Sequence, residues 1–502
     1  MIGQFAAAHP LLVAWTLAAV LAAVSYRHLV GAQLAGGALA AFPSTATGFF
    51  NELVSGVRTT GLGGTQAASP ALGLLGLGGA AALGNTELLQ KALLFVLPAA
   101  AAAGAARATW RLTGQRVPAV LAGAAYALAP VTMWAFSDGR IPELVFLAGL
   151  PWLAMRIQAG FAGRTGRRRL RWAIGVGAGL AVLTSFFPGT LLAAAVVAVV
   201  CLVAPGGGTR RGGLAAAVVA LVLAGVLTFP FAWALVDGGA HAVSEFVGVR
   251  SFSEVARLSP GDAPGGWLPS FYLPLAAALA LVLVSRSLFR PALRAALTVV
   301  LCLYLAWASG AGWLPAGVSN MPAYLGLAAF SMALLVGIGL ASLLAGVGQV
   351  TFGHRQVGAA LMVLVVGGGL FLQATQGALG AWSIGGPEKI PAAYAVVQAG
   401  HEPPGRVLWI GGPHGGTLVA PGGTPEGTAG SGAAAVRFAV AYPKGATALD
   451  FGRPSAGPGY DALTRTIGEV LSGDTRHGGA LLAPFAVQYL VASPGDVPPV
   501  AL

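Results

Sequence analysis

The sequence predicts a polytopic α-helical membrane protein with a small α/β domain at its C-terminus. Three observations predict it. The 502 residues are 56% hydrophobic and only 9% charged, whereas a soluble domain carries about 25% charged residues. Apolar stretches long enough to cross a bilayer recur from the N-terminus to residue 378. Beyond that point short strand-like and helical segments alternate between polar, Gly-rich loops.

Taken in order, the apolar segments are 11–25, 91–108, 118–136, 141–156, 173–187, 189–204, 214–236, 269–285, 295–309, 323–346 and 357–378, which predicts about eleven transmembrane helices. Pro188-Gly189 divides one long apolar stretch into a helical hairpin. Segment 71–84 is apolar but short and Gly-rich, and reads as a half-buried or interfacial helix rather than a crossing. The first segment has two readings. A secretory signal would put Ala38-Leu39-Ala40 at its cleavage site, but Met1–Pro10 carries no Lys or Arg, so an uncleaved helix is preferred. The 75 glycines suit close packing of helices in lipid. Residues 1–378 thus form the transmembrane domain, with long loops at 26–90 and 237–268.

Residues 379–502 form the second domain. Arg406–Ile410, Val436–Val440 and Gln488–Val491 read as strands. Asp461 is placed to cap a helix ending near Leu471, with Leu463, Ile467, Val470 and Leu471 on one face. The stretch Gly411–Ala433, rich in Gly, Pro, Thr and Ser, reads as a mobile loop.

Charge orients the chain. The formal net charge is +12, but the basic residues are not interleaved with aromatics as a nucleic-acid surface requires. Fifteen of the 28 sit in five alternate short loops, at Arg107/Arg111/Arg116, Arg156 to Arg171, Arg210/Arg211, Arg286/Arg290/Arg294 and Arg355. The positive-inside rule makes those loops cytoplasmic. They hold no Asp or Glu, so all sixteen acids fall on the other side, as does the C-terminal domain. The N-terminus is cytoplasmic on this reading. The absence of interior ionisable residues from the apolar spans argues against an ion-coupled transporter. Cys201 and Cys302 lie inside apolar runs, without metal-ligand or disulfide spacing.

Candidate chemistry follows from the acids. Glu52, with Arg58, lies in the first long loop. A glycosyl transfer from a lipid phosphate needs a carboxylate as general base and cations beside the leaving phosphate. The alternative is that Glu52 lies on the solvated face of a short amphipathic helix, Phe49–Val57. The turn Ser137–Glu143 packs Asp138, Arg140 and Glu143 between two apolar helices, either as a rim site for phosphate or sugar or as mutual neutralisation at the membrane surface. In the loop 237–268, His241 and Glu245 are four apart and share one helix face. Without a third ligand they border a substrate cavity rather than hold a metal. Trp267, Phe271 and Tyr272 read as an interfacial aromatic belt. Gly411–Gly416 matches neither nucleotide-binding fingerprint, and His414 reads as a loop residue. No cofactor is called for.

Several segments, in order, resemble one family. Thr59–Pro70 (TTGLGGTQAASP), Ala125–Pro130 (AYALAP), Gly139–Leu153 (GRIPELVFLAGLPWL) and Leu481–Ala492 (LLAPFAVQYLVA) are similar to the GT-C-like membrane region of large actinobacterial glycosyltransferase-type proteins. The resemblance runs from about His9 to Val491. The chain departs from that pattern in opening at the first helix, without the usual family-two glycosyltransferase domain. It also has Phe49 where relatives carry an acid, with Glu52 one turn later; the family's arginine is present as Arg140. The resemblance implies a multi-pass enzyme of the bacterial cell membrane that transfers a sugar from a polyprenyl-phosphate donor to a cell-envelope glycan on the outer side. Glu52 would be the base, and Arg58 and Arg140 would lie near phosphate. The alternative is a non-catalytic membrane partner that docks a separate glycosyltransferase subunit or scaffolds glycan export.

Overall fold

The computed structural model describes residues 39–56, 62–63, 67–161, 166–203, 210–237, 251–260, 270–346, 354–380, 405–411, 427–429, 436–441, 448–450, 458–472 and 475–492, with isolated positions between 12 and 24. Most of the first apolar segment, and Arg58, His241, Glu245, Trp267 and His414, therefore lie outside the described residues.

Two short helices open the described chain: α1 (Ala46–Val54) and α2 (Ala71–Ala81). A helical bundle follows, with α3 (Thr86–Thr113), α4 (Arg116–Ala127), α5 (Pro130–Ser137), α6 (Ile141–Gly160), α7 (Gly166–Phe186), α8 (Thr190–Val203), α9 (Arg210–Leu227), α10 (Phe231–Asp237), α11 (Phe252–Ala256), α12 (Tyr272–Leu283), α13 (Phe289–Gly310), α14 (Met321–Gly346) and α15 (His354–Ala378). Among the described residues four helices are long and apolar enough to cross a membrane: Thr86–Thr113, Arg286–Gly310, Met321–Ala345 and Ala360–Ala378. The bent pair α4–α5 makes a fifth if counted as one span. The chain is a membrane protein on this architecture.

Each apolar segment from residue 91 onward falls on a helix or a helix pair, but several differ in shape from the sequence reading. Segment 118–136 is not one straight span: α4 and α5 meet at 48°. Pro130 starts α5, and Ala129 before it is extended (φ −64°, ψ 144°), as the proline ring requires of its predecessor. Segment 214–236 is likewise broken at Thr228–Pro230, where proline lacks the N–H to continue the ladder. In segment 269–285 the helix α12 spans twelve residues, about 18 Å of rise. The helix break at Pro188-Gly189 falls where expected, between α7 and α8.

Helix α14 is the axis of the bundle. Its glycines let neighbours approach on different faces: a Cβ at Gly326 would meet Phe146 and Leu147 of α6, and one at Gly339 would lie 2.9 Å from the Ala280 Cα of α12. In lipid, such close backbone approach replaces the hydrophobic drive that soluble helices use. The bundle has two chemically distinct ends. At the basic end Gln115 donates to the Ala341 carbonyl at 3.2 Å and the Ser285 N–H to the Ser342 hydroxyl at 3.1 Å. At the other end Ser69, just before α2, bonds Ser185 beside the α7–α8 connection, and Gly189 of that connection lies against Asn320 of the α13–α14 connection.

The C-terminal region holds a four-stranded sheet of β1 (Arg406–Gly411), β2 (Gly427–Ala429), β3 (Val436–Ala441) and β4 (Val487–Ala492), in the order β2-β3-β1-β4. The β1–β4 pair is parallel and the others antiparallel. Helix α16 (Pro458–Leu471) packs Leu463 and Ile467 against Leu408, Ile410, Phe438 and Val440, and α17 (Gly478–Leu482) adds Leu482. Two local readings are corrected. The helix begins three residues before Asp461, so Asp461 lies in its first turn and does not cap it; there its charge still complements the helix dipole. Within the stretch expected to be a mobile loop, Gly427–Ala429 is the strand β2, paired with β3; residues 412–426 and 430–433 lie outside the described residues.

Candidate functional site

The turn between α5 and α6 is built by its sequence. After Ser137 the backbone closes a Schellman motif: the Gly139 N–H bonds the Phe136 carbonyl at 3.1 Å and the Arg140 N–H bonds the Ala135 carbonyl at 2.8 Å. The motif needs a left-handed residue, and Gly139 supplies it at φ 72°. Arg140 is then the residue that precedes α6, with Pro142 and Glu143 in the helix's first turn, where proline fits and a carboxylate is favoured by the dipole.

This geometry wraps the Arg140 guanidinium. Its Nη1 donates to Glu143 Oε1 at 3.0 Å, its Nε lies 3.5 Å from Asp138 Oδ2, and its carbon stands 4.3 Å from the centre of the buried Trp134 ring. The Arg140, Asp138 and Glu143 side chains are only 19%, 22% and 8% exposed. All three sequence-predicted residues of this turn therefore meet, and the indole is a fourth member that sequence reasoning missed. Two carboxylates against one guanidinium leave a formal excess of negative charge. Of the two ion pairs, the one to Asp138 is the longer and the more exposed.

Glu52 lies on α1, and the structure corrects both its helix and its face. The helix spans Ala46–Val54, earlier than Phe49–Val57, and Glu52 is 4% exposed rather than on the solvated side. Three faces explain this. Ala46, Phe50 and Leu53 pack on Gly79, Gly76 and Gly73 of α2. Thr47, Asn51 and Val54 face outward. Phe49 and Glu52 share the third face and point inward, with Phe49 edge-on to Phe42 at 5.4 Å. Glu52 is not without an interaction partner there.

The connections near α2 carry a set of buried hydroxyls and an amide. The Ser69 hydroxyl donates to the Ser185 carbonyl. Ser309 and Ser319 share a 2.7 Å hydrogen bond, and Asn320 caps α14 by accepting the Ala323 N–H at 3.0 Å. Gly189 sits so close to Asn320 that a Cβ there would lie 2.6 Å from its amide nitrogen. Sequence reasoning missed these residues, although a Ser or Asn directly before an apolar helix is a capping signal.

No known protein family and no curated protein matches the sequence. Among solved structures the chain is similar to the arabinofuranosyltransferase AftD from Mycobacteria, with a TM-score of 0.53 and 16% identity over 77% of this chain. A mutant of AftD gives a TM-score of 0.50 and 14% identity, again over 77% of this chain. ArnT from Cupriavidus metallidurans in the apo state aligns over 74% of this chain and 75% of its own, at a TM-score of 0.43 and 17% identity. The chain spans 28% of the length of AftD. At such identity the likeness is one of fold alone.

Proposed function

We propose that the chain is a GT-C-like glycosyltransferase of the bacterial cell membrane that moves a sugar from a polyprenyl-phosphate donor to a cell-envelope glycan on the non-cytoplasmic side. Glu52 is the general base. The observation that supports this is the burial of Glu52: a carboxylate turned inward and 4% exposed, on the short helix α1. In the proposed step the acceptor hydroxyl attacks the anomeric carbon and its proton passes to Glu52. The bond from that carbon to the donor's phosphate oxygen breaks, and the phosphate leaves with the electron pair. Exclusion of water from Glu52 favours transfer to a glycan over hydrolysis. Arg58 and, once Asp138 yields, Arg140 would neutralise the leaving phosphate. His241 and Glu245 would border the acceptor. The full topology belongs to the same reading, with about eleven spans, a cytoplasmic N-terminus and an extracytoplasmic domain over 379–502.

The test is Glu52→Gln in cells whose only copy is the variant, with chain abundance checked. Envelope glycan should fall by about two orders of magnitude in synthesis rate, and lipid-linked sugar should accumulate. Undiminished glycan removes Glu52 as the base. A second reading, a non-catalytic partner of a separate glycosyltransferase subunit or export system, would then take its place. It is favoured by one observation, the pairing of Arg140 with its own carboxylates.

A further inference from the structure

The helix that carries Glu52 is tied on both sides to the C-terminal region. Before α1, the Ala41 carbonyl accepts the Ala448 N–H at 2.9 Å. Beyond α1, the Leu62 N–H donates to the Tyr460 hydroxyl at 3.3 Å, across 398 residues of sequence. The Leu62 side chain packs on the cluster formed by the sheet and α16, and Ala448 is buried within the main helical core. The same segment is also bonded to the bundle. Gln90 donates to the Ala40 carbonyl at 2.9 Å, the Thr86 hydroxyl to the Pro43 carbonyl at 2.6 Å, and the Ser69 hydroxyl to Ser185.

A nine-residue helix has little stability of its own, since isolated helices below about 12–15 residues are marginal in water. Its place is set by what holds its flanks. We infer that the C-terminal region is a positioning element for Glu52, acting through Tyr460 and Leu62 on one flank and Ala448 on the other. The role rests on the reading of Glu52 as base; the tethering itself does not. On this inference the sheet governs where the carboxylate stands when the first outer loop receives an acceptor, and Tyr460 and Leu62 are positioning residues, not catalytic ones.

Hydrogen exchange on the full chain in lipid nanodiscs tests it. In the double variant Leu62→Ala/Tyr460→Phe, amides of 46–54 should exchange at least about fivefold faster, the effect of losing one hydrogen bond of about 1 kcal/mol. Amides of α3 should not change, which separates a local release from general destabilisation. Leu62→Met with Tyr460 intact should restore the wild-type rate. Ala448→Pro, which deletes the donor of the other tether, should independently speed exchange in 46–54. Glycan synthesis should fall in both loosened variants. Unchanged exchange in 46–54 in both variants overturns the tethering. Faster exchange with undiminished glycan overturns the positioning role. A silent Glu52→Gln overturns the base and leaves the exchange result to decide the tether.

Discussion

Arg140 offers the sharpest quantitative test, because its three partners differ in burial and distance. Arg140→Gln removes the charge that compensates Glu143, whose side chain is 8% exposed and 3.0 Å away. At an effective dielectric of about 20, a pair at that distance has a gross attraction of roughly 5 kcal/mol, most of which offsets desolvation. What the substitution exposes is the cost of a buried carboxylate without its partner, about 3–5 kcal/mol. Glu143→Gln is milder, about 1–2 kcal/mol, because the guanidinium keeps Asp138 and its stack on Trp134 at 4.3 Å. Asp138→Asn should stay within about 1 kcal/mol, since that pair is longer and better solvated. The double variant Arg140→Gln/Glu143→Gln removes both charges together and should cost less than the sum by about 2 kcal/mol. The assay is equilibrium unfolding in mixed detergent–SDS micelles, read as a double-mutant cycle. Additivity within about 0.5 kcal/mol would refute the reasoning, because residues that do not share an interaction add.

Two further perturbations test the packing on which the sites stand. Gly123→Ala puts a Cβ 2.6 Å from the Ala102 carbonyl oxygen of α3. It should cost about 1–3 kcal/mol by forcing α3 and α4 apart, whereas Gly367→Ala, which meets nothing within 4 Å, should be neutral or stabilising by up to about 1 kcal/mol; the same unfolding assay compares them. Phe49→Ala empties a fully buried position beside Glu52 and should cost about 3–5 kcal/mol, with faster hydrogen exchange confined to α1 and α2.

How far each feature was legible depended on where its cause lay. The apolar helices and the basic connections between them were legible because lipid acts on local composition, so the pattern is written in adjacent residues. The Asp138–Arg140–Glu143 cluster was legible for the same reason, since a single glycine turn folds it onto itself. Trp134 was not, because the stack depends on the Schellman reversal that brings Arg140 back over α5. Proline was an ambiguous sign. Pro130 starts a new helix at a 48° bend, while Pro98 and Pro151 lie inside α3 and α6, which continue through them. The neighbours that satisfy or replace the lost hydrogen bond decide between these outcomes, and they are remote in sequence. Glu52 is the extreme case. The periodicity of α1 marks two sides, and a short amphipathic helix with a charged residue reads as solvated on the charged side. The structure turns that side inward because α2 takes the glycine-facing stripe and the segments at Ala41 and Leu62 are pinned by residues some 400 positions away. The side on which a nine-residue helix presents its carboxylate is therefore a property of the assembled chain, which is why the C-terminal region has to be counted among the determinants of Glu52's position.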